Sequence, residues 1–251
     1  MLKAENITMR FDGLVAVNDV SLEIDKQQIY GLIGPNGAGK TTFFNCVSGV
    51  YRPEGKIIFD GKEMQGSRCF QFNEAGMART YQVINLFRRM TVLENVMVGM
   101  HSRLKSNFFE AVLRTPRQRR EEREATQKAW DLLDFVGLKH KGNDLAGSLS
   151  YGEQRLLEIV RGLASEPKII LLDEPAAGMN TTEKRELDAV LKEILKRGVI
   201  VLMVEHDMRL VMGVCDYIYV LYNGALLAKG VPHEVQNNPD VVAAYLGGDE
   251  I

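Results

Sequence analysis

Ile29-Tyr30-Gly31-Leu32-Ile33-Gly34-Pro35-Asn36-Gly37-Ala38-Gly39-Lys40-Thr41-Thr42 leads from an apolar run through a glycine-rich turn into a helix expected to begin near Lys40. Residues 34–41 fit the pattern GxxxxGK[ST], which binds phosphate when a strand precedes it and a helix follows. Glycines let consecutive backbone N–H groups turn inward around an anion, and the helix that follows offers its positive end to the same anion. Lys40 adds a full charge at the β- and γ-phosphates. Thr41 supplies a hydroxyl for Mg²⁺, a hard ion that prefers oxygen ligands and retains several waters. The simpler alternative is a glycine-rich turn that only caps a helix. The flanking strand and helix signals favour a site for a nucleoside triphosphate.

Composition bounds the rest loosely. The 251 residues are 45% hydrophobic and 25% charged, as expected for a globular chain with one substantial core, or one core and a subdomain. A net charge of -2 gives no global basic field, so nothing in the charge points to nucleic acid. Cys46, Cys69 and Cys215 have neither metal-ligand spacing nor an even count, and are expected to be reduced, small core residues. No apolar run approaches the length of a membrane span, so a membrane would be met through a partner.

Along the chain, strand signals come first: Leu2 to Met9, then Val20, Leu22 and Ile24 at period two, Ile29 to Ile33, and Lys56 to Phe59 closed by Asp60-Gly61. Helix signals follow. Thr91 and Glu94 have capping-box spacing, and Ala125, Ala129, Leu132, Leu133 and Val136 make one apolar stripe. Residues 101–124 are rich in charge of both signs, including Arg114, Arg117, Arg120, Glu121 and Glu124, which reads as a solvated helix face or else a docking or anionic-lipid patch. After Pro167 an alternation of strand and helix resumes: Ile169 to Leu172, a helix from Thr182 to Lys196 stopped by Gly198, Val199 to Val204, a short helix, Tyr217 to Leu221, and an Asn223-Gly224 hairpin turn. The expectation is an α/β nucleotide-binding core interrupted by a mainly helical insert.

Four more constellations sharpen it. Ile169-Ile170-Leu171-Leu172-Asp173-Glu174 is a buried-strand run ending in two carboxylates, where a nucleotide-binding sheet presents an acid for Mg²⁺ and a base for water. Ser150 and Glu153, within Leu149-Ser150-Tyr151-Gly152-Glu153-Gln154, have capping-box spacing, and a helix start is also a phosphate site. Gln82 follows a short β-like stretch, and His206 ends the run Val201 to Glu205; alone, each is unremarkable.

In this order the motifs closely resemble the nucleotide-binding subunits of ABC transporters, from about residue 2 to 248. The resemblance implies a P-loop NTPase core of ABC type with an antiparallel β subdomain and a mainly helical insert. It implies that residues 1–84 and 160–251 form the nucleotide-binding core and 85–159 the helical signature subdomain. Asn36, Gly37, Ala38, Gly39, Lys40, Thr41 and Thr42 would cradle ATP, with Phe11, helped by Val17, against adenine. Base-on-aromatic stacking is worth about 1 to 3 kcal/mol in nucleic-acid complexes; the alternative for Phe11 is a core place in the first strand pair. Thr41, Gln82 and Asp173 would hold Mg²⁺, Glu174 would act as base on the attacking water, and His206 would meet the γ-phosphate. Two such chains would meet head to tail, as a homo- or heterodimer formed on ATP. Ser150 and Gly152 would complete the partner's phosphate shell, and Tyr151, Glu153 and, in place of the usual aspartate, Asn180 would belong to the same nucleotide site.

Several strings resemble branched-chain amino-acid importers in particular: residues 11–17, Ala78-Arg79-Thr80-Tyr81-Gln82, residues 149–154 and Asn237-Asn238-Pro239-Asp240-Val241. That resemblance implies membrane-spanning permease partners, an external binding protein acting indirectly, and a peripheral place on the cytoplasmic face of the membrane. Lipid-export or other solute ATPases, and non-transport ABC ATPases, are the alternatives. The apolar cluster Val83-Ile84-Asn85-Leu86-Phe87 with Met90 is expected either to form a groove for the permease or to fill the insert's own core.

Overall fold

The computed structural model describes residues 1–103 and 115–246. Arg114 and the first part of the charge-rich stretch after residue 103 lie outside the described residues, as do residues 247–251. Strands β1 (Leu2–Phe11), β2 (Leu14–Ile24), β4 (Glu54–Phe59) and β5 (Lys62–Glu63) form an antiparallel sheet in the order β2-β1-β4-β5. Strands β3 (Ile29–Ile33), β6 (Met77–Arg79), β7 (Ile169–Asp173), β8 (Ile200–Val204), β9 (Tyr217–Tyr222) and β10 (Ala225–Gly230) form the second, in the order β10-β9-β3-β8-β7-β6. All neighbours there run parallel except β9 and β10, which the Asn223-Gly224 turn joins as a hairpin.

Every residue of β3, β7 and β8 is buried, because both faces of the parallel sheet are covered. Ile169 and Leu171 face one core together with Phe43, Phe44 and Val47 of α1 (Lys40–Val47) and the antiparallel sheet. Ile170 and Leu172 face a second core built with helices. The helix that follows the phosphate loop is thus clamped between two sheets, which fixes the loop at its root.

The second core includes α3 (Val92–Gly99), α4 (Pro116–Phe135), α5 (Tyr151–Leu163), α6 (Thr181–Lys196) and α7 (Met208–Val214). The expected caps form: the Thr91 hydroxyl accepts from the Glu94 amide, and the Glu94 carboxylate accepts from the Thr91 amide. Ser150 and Glu153 repeat the motif at α5. The apolar stripe of α4 buries Ala125, Ala129 and Leu133, as its spacing requires. Helix α2 (Cys69–Ala75), the two-residue β5 and the C-terminal α8 (Pro232–Gln236) and α9 (Pro239–Leu246) have no counterpart in the sequence reading. The reason is plain for α2, a seven-residue helix with only Phe72 buried, which has no apolar stripe to betray it; Cys69 at its start is exposed and not the core residue expected. Among the described residues no helix is long and apolar enough to cross a membrane.

Candidate nucleotide-binding and catalytic site

Strands β3, β8, β7 and β6 are successive neighbours, and their C-terminal ends lead into the segments carrying Lys40, His206, Glu174 and Gln82. Ligands of open α/β sheets gather at that edge. Four motifs scattered over more than 160 residues of sequence therefore share one rim of the sheet.

The phosphate loop is a built cradle. At Gly39, φ is 92°, and a Cβ there would lie 2.4 Å from the Ala16 carbonyl oxygen, so no other residue fits without moving β2. Lys40 is buried, and its ammonium donates to the Gly34 carbonyl at 2.7 Å and the Pro35 carbonyl at 2.9 Å. Burial pushes its pKa down while Glu174 pulls it back up. A buried cation held by two neutral carbonyls is a receptor for anionic oxygen. Asn36, Gly37 and Thr41 are exposed, Thr42 half-buried, and Ala38 is buried with its amide closing a turn onto the Pro35 carbonyl.

The carboxylates at the end of β7 differ sharply. Asp173 is buried, and its Oδ2 pairs with Arg79 at 3.1 Å. Burial pushes its pKa up, and Arg79 opposes that shift. Arg79 also donates to the Ser48 hydroxyl at 2.5 Å, tying Asp173 to the end of α1. Glu174 has φ 47°, a left-handed backbone that costs a side-chain-bearing residue about 1 kcal/mol or more. Its N–H donates to the Val204 carbonyl on β8 at 2.9 Å. Its Oε2 then accepts from Gln82 Nε2 at 3.2 Å and lies 3.6 Å from His206 Nδ1. The strained turn swings this one carboxylate out of the strand and between the glutamine and the histidine.

Three residues that the sequence reading missed hold this cluster. Arg79 is one. Glu205 is fully buried, and its carboxylate accepts from the amides of Ala176 at 2.7 Å, His206 at 3.1 Å and Asp207 at 3.4 Å. Burial pushes its pKa up, and those three N–H groups lower it. Arg155 is also fully buried and donates to the carbonyls of Tyr81 and Gln82, each at 2.8 Å. An opposite-charge pair at i,i+3, Arg155 and Glu158, set among the apolar positions 156, 157, 159 and 160 was the available signal for Arg155; Glu205, at a strand end beside a histidine, offered none.

Some expected contacts fall elsewhere. Val17 is fully buried in the core beneath the phosphate loop, near where a Cβ on Gly39 would stand, so it supports the loop and presents no face to a base. Phe11 remains 38% exposed, edge-on to Tyr51 at 5.3 Å, and is free to present its ring. The signature residues form a second group at the start of α5. Ser150 and Tyr151 are exposed, and buried Gly152 lies so close to α6 that a Cβ would meet the Glu183 carboxylate at 2.5 Å. Glu153 is spent on the Ser150 amide and on Lys141, at 2.6 Å, and a carboxylate beside phosphate would only repel it. Asn180 caps α6, its Oδ1 accepting from the amides of Thr182 and Glu183. Both side chains thus have local partners within this chain. Leu86 packs on the helical core, as the core expectation requires for that residue, whereas Val83 is 79% and Phe87 50% exposed.

Comparison with known proteins agrees with this geometry. Residues 17–177 match the family described as ABC transporter, and residues 225–251 match one described as branched-chain amino acid ATP-binding cassette transporter. The high-affinity branched-chain amino acid transport ATP-binding protein LivG of Salmonella typhimurium is 47% identical over 98% of each chain. BraF of Pseudomonas aeruginosa, which carries the same description, is 46% identical over 98% of each. The lipopolysaccharide export system ATP-binding protein LptB of Haemophilus influenzae is 37% identical, over 98% of this chain and 97% of that one. Among solved structures, the ADP conformation of an ATP-binding cassette of an ABC transporter superposes with a TM-score of 0.86, at 31% identity over 98% of both chains. A phosphate cradle with a buried lysine, a carboxylate swung out beside a glutamine and a histidine, and full-length likeness to these cassettes lead to one conclusion: the chain belongs to the ABC transporter family, as its ATP-binding, ATP-hydrolysing subunit.

Proposed function

We propose that this ATPase drives import of branched-chain amino acids. The single observation that carries the substrate class is the match of residues 225–251 to the branched-chain amino acid cassette family, a segment outside the general ABC match at 17–177. The ten-point gap between the LivG and LptB identities points the same way.

Two copies of this chain, or this chain and a similar one, close head to tail on ATP. Gly37, Ala38, Gly39 and Lys40 hold the phosphates, and Phe11 offers its ring to adenine. The exposed hydroxyl of Thr41, the Gln82 amide oxygen and buried Asp173 are the hard oxygen donors that Mg²⁺ takes, and these three residues would hold it. When bound, the ion neutralises charge at the β- and γ-phosphates. Glu174 takes the proton from the attacking water, held for that task between Gln82 and His206; His206 contacts the γ-phosphate. Ser150 and the Gly152 backbone donate from across the dimer, where charge spreads in the transition state. Val83 and Phe87 receive a helix from a membrane-spanning permease, which keeps the chain at the cytoplasmic face of the membrane.

The test is genetic and biochemical. Deleting the chain in its source organism should abolish ATP-dependent uptake of radiolabelled leucine, wild type should restore it, and Glu174→Gln should not. Unchanged leucine uptake in the deletion strain would refute the import reading.

A further inference from the structure

Residues 81–85 belong to no helix and no strand, although Gln82 within them touches Glu174. What fixes their main chain comes from α5. Arg155 Nη1 donates to the Tyr81 carbonyl and to Glu158 Oε2, both at 2.8 Å; Nη2 donates to the Gln82 carbonyl at 2.8 Å and reaches the Tyr151 hydroxyl at 3.5 Å. Glu158, 2% exposed, accepts from the Asn85 amide at 3.5 Å with its other oxygen. One turn of a single helix thus grips both ends of the loop.

We propose that Arg155 is a positioning residue that makes the place of Gln82 against Glu174 depend on the helix whose first residues meet the other subunit's nucleotide. The inference rests on the site roles proposed above. Its warrant is the energetics of a buried ion pair. Desolvating a guanidinium and a carboxylate cancels much of their attraction, so apolar residues of the same volume hold a fold as well or better. Arg155 even leaves its buried Nε without a hydrogen-bond partner while both Nη atoms serve the loop. What a planar fork supplies that apolar packing does not is direction: two parallel donors set two successive carbonyls at fixed positions. The same helix has Ser150 as its N-cap, and Ser150 and Tyr151 at that start are exposed. A shift of that helix start on contact with the partner's nucleotide is carried through Arg155, one turn in, to the loop that touches this subunit's own catalytic carboxylate. The arrangement links the two ATP sites of the dimer through a residue that touches neither nucleotide.

The test uses the full chain and MgATP. Arg155→Met alone strands the Glu158 charge and risks unfolding, so Arg155→Met with Glu158→Leu is the main variant, beside Arg155→Lys and Gln82→Ala. The double variant should melt near wild type and bind a fluorescent ATP analogue within about threefold of its affinity. Its kcat should fall at least tenfold, KM for ATP should hardly move, and the Hill coefficient of hydrolysis should drop toward one. Arg155→Lys should recover part of kcat. Adding Gln82→Ala to the double variant should cost little more, because both act through one contact, whereas independent structural damage would add. A folded double variant with wild-type kcat, or full additivity with Gln82→Ala, would overturn the inference while leaving the site roles standing. If Gln82→Ala itself leaves kcat unchanged, the site roles fall and take this inference with them.

Discussion

The phosphate loop and the Gln82–Glu174–His206 cluster lie at one edge of one sheet and are built in opposite ways. The loop is continuous in sequence, and its determinants are local: glycine conformations, a buried lysine folded onto its own carbonyls, and a helix clamped between two sheets. The cluster comes from three separate segments and relies on charges placed elsewhere: Arg155 holds the Gln82 carbonyl, Glu205 holds the His206 amide, and Arg79 holds Asp173, next to Glu174. A rigid local cradle suits binding, which needs the same shape before and after the reaction. A cluster assembled from three loops is sensitive to how they sit, which suits a step gated by the dimer closure proposed above.

The sharpest way to break the comparison is Glu174→Gln. If binding and chemistry are divided as described, this variant keeps nucleotide affinity and loses the base, and general-base loss costs roughly 10²- to 10⁴-fold in rate. It should accumulate as a dimer with MgATP, whereas the chain without nucleotide should be mainly monomeric. Phosphate release and light scattering measure both. A monomer at saturating ATP, or unreduced turnover, would remove Glu174 from the role given to it.

Lys40→Ala is the complementary cut, on the local side. A hydrogen bond to a charged group contributes about 1.5 to 3 kcal/mol, so affinity for ATP should fall roughly 10- to 100-fold or more. The circular dichroism spectrum should be unchanged, because the remaining contacts of the loop are backbone contacts. Calorimetry giving near-normal affinity would end the phosphate-loop assignment.

The same contrast explains what was legible in the sequence. Residues 34–42, the capping boxes at Thr91 and Ser150, the apolar stripe of α4 and the buried strand ending at Asp173 declare themselves through spacing and residue type, because the physics that fixes them acts over a few positions. Val17 was misplaced because a strand residue next to a ligand loop has two faces, and only the register with β1, Met9 against Val17, decides which one is inward. Asn180 and Glu153 enter the expected nucleotide site by resemblance alone, and the structure adds that each takes part in a helix cap. Arg155 and Glu205 become meaningful only when the sheet order brings their loops together. Short elements such as β5 and α2 stay below any periodic signal. Between Val83 and Met90 the spacing does not say which side chains turn inward: Leu86 packs on the core, and Phe87 is exposed with the Arg161 guanidinium 5.9 Å from its ring.

The gentlest probe lies just past His206, where the cluster's bracing reaches the surface. Asp207 accepts from Lys184 at 2.5 Å and caps α7 through the amides of Arg209 and Leu210. Lys184 is the largest cause holding its pKa below the usual carboxylate range. A carboxyl depressed in the folded state binds fewer protons there than when unfolded, so its contribution is present above the unfolded value of about 3.9 and is lost as pH falls through the lower folded value. Urea unfolding should therefore show this part of the stability intact from neutral pH to about 5 and fading below 4. Because both side chains are partly solvated, the pair is worth at most about 1 kcal/mol. Lys184→Met should shrink the loss of stability between pH 7 and the acid range by no more than that, leaving the cap hydrogen bonds from the two amides in place. An unchanged pH dependence would mean that the Lys184 contact adds nothing to the cap, and that the catalytic loop is braced from the buried side alone, through Glu205.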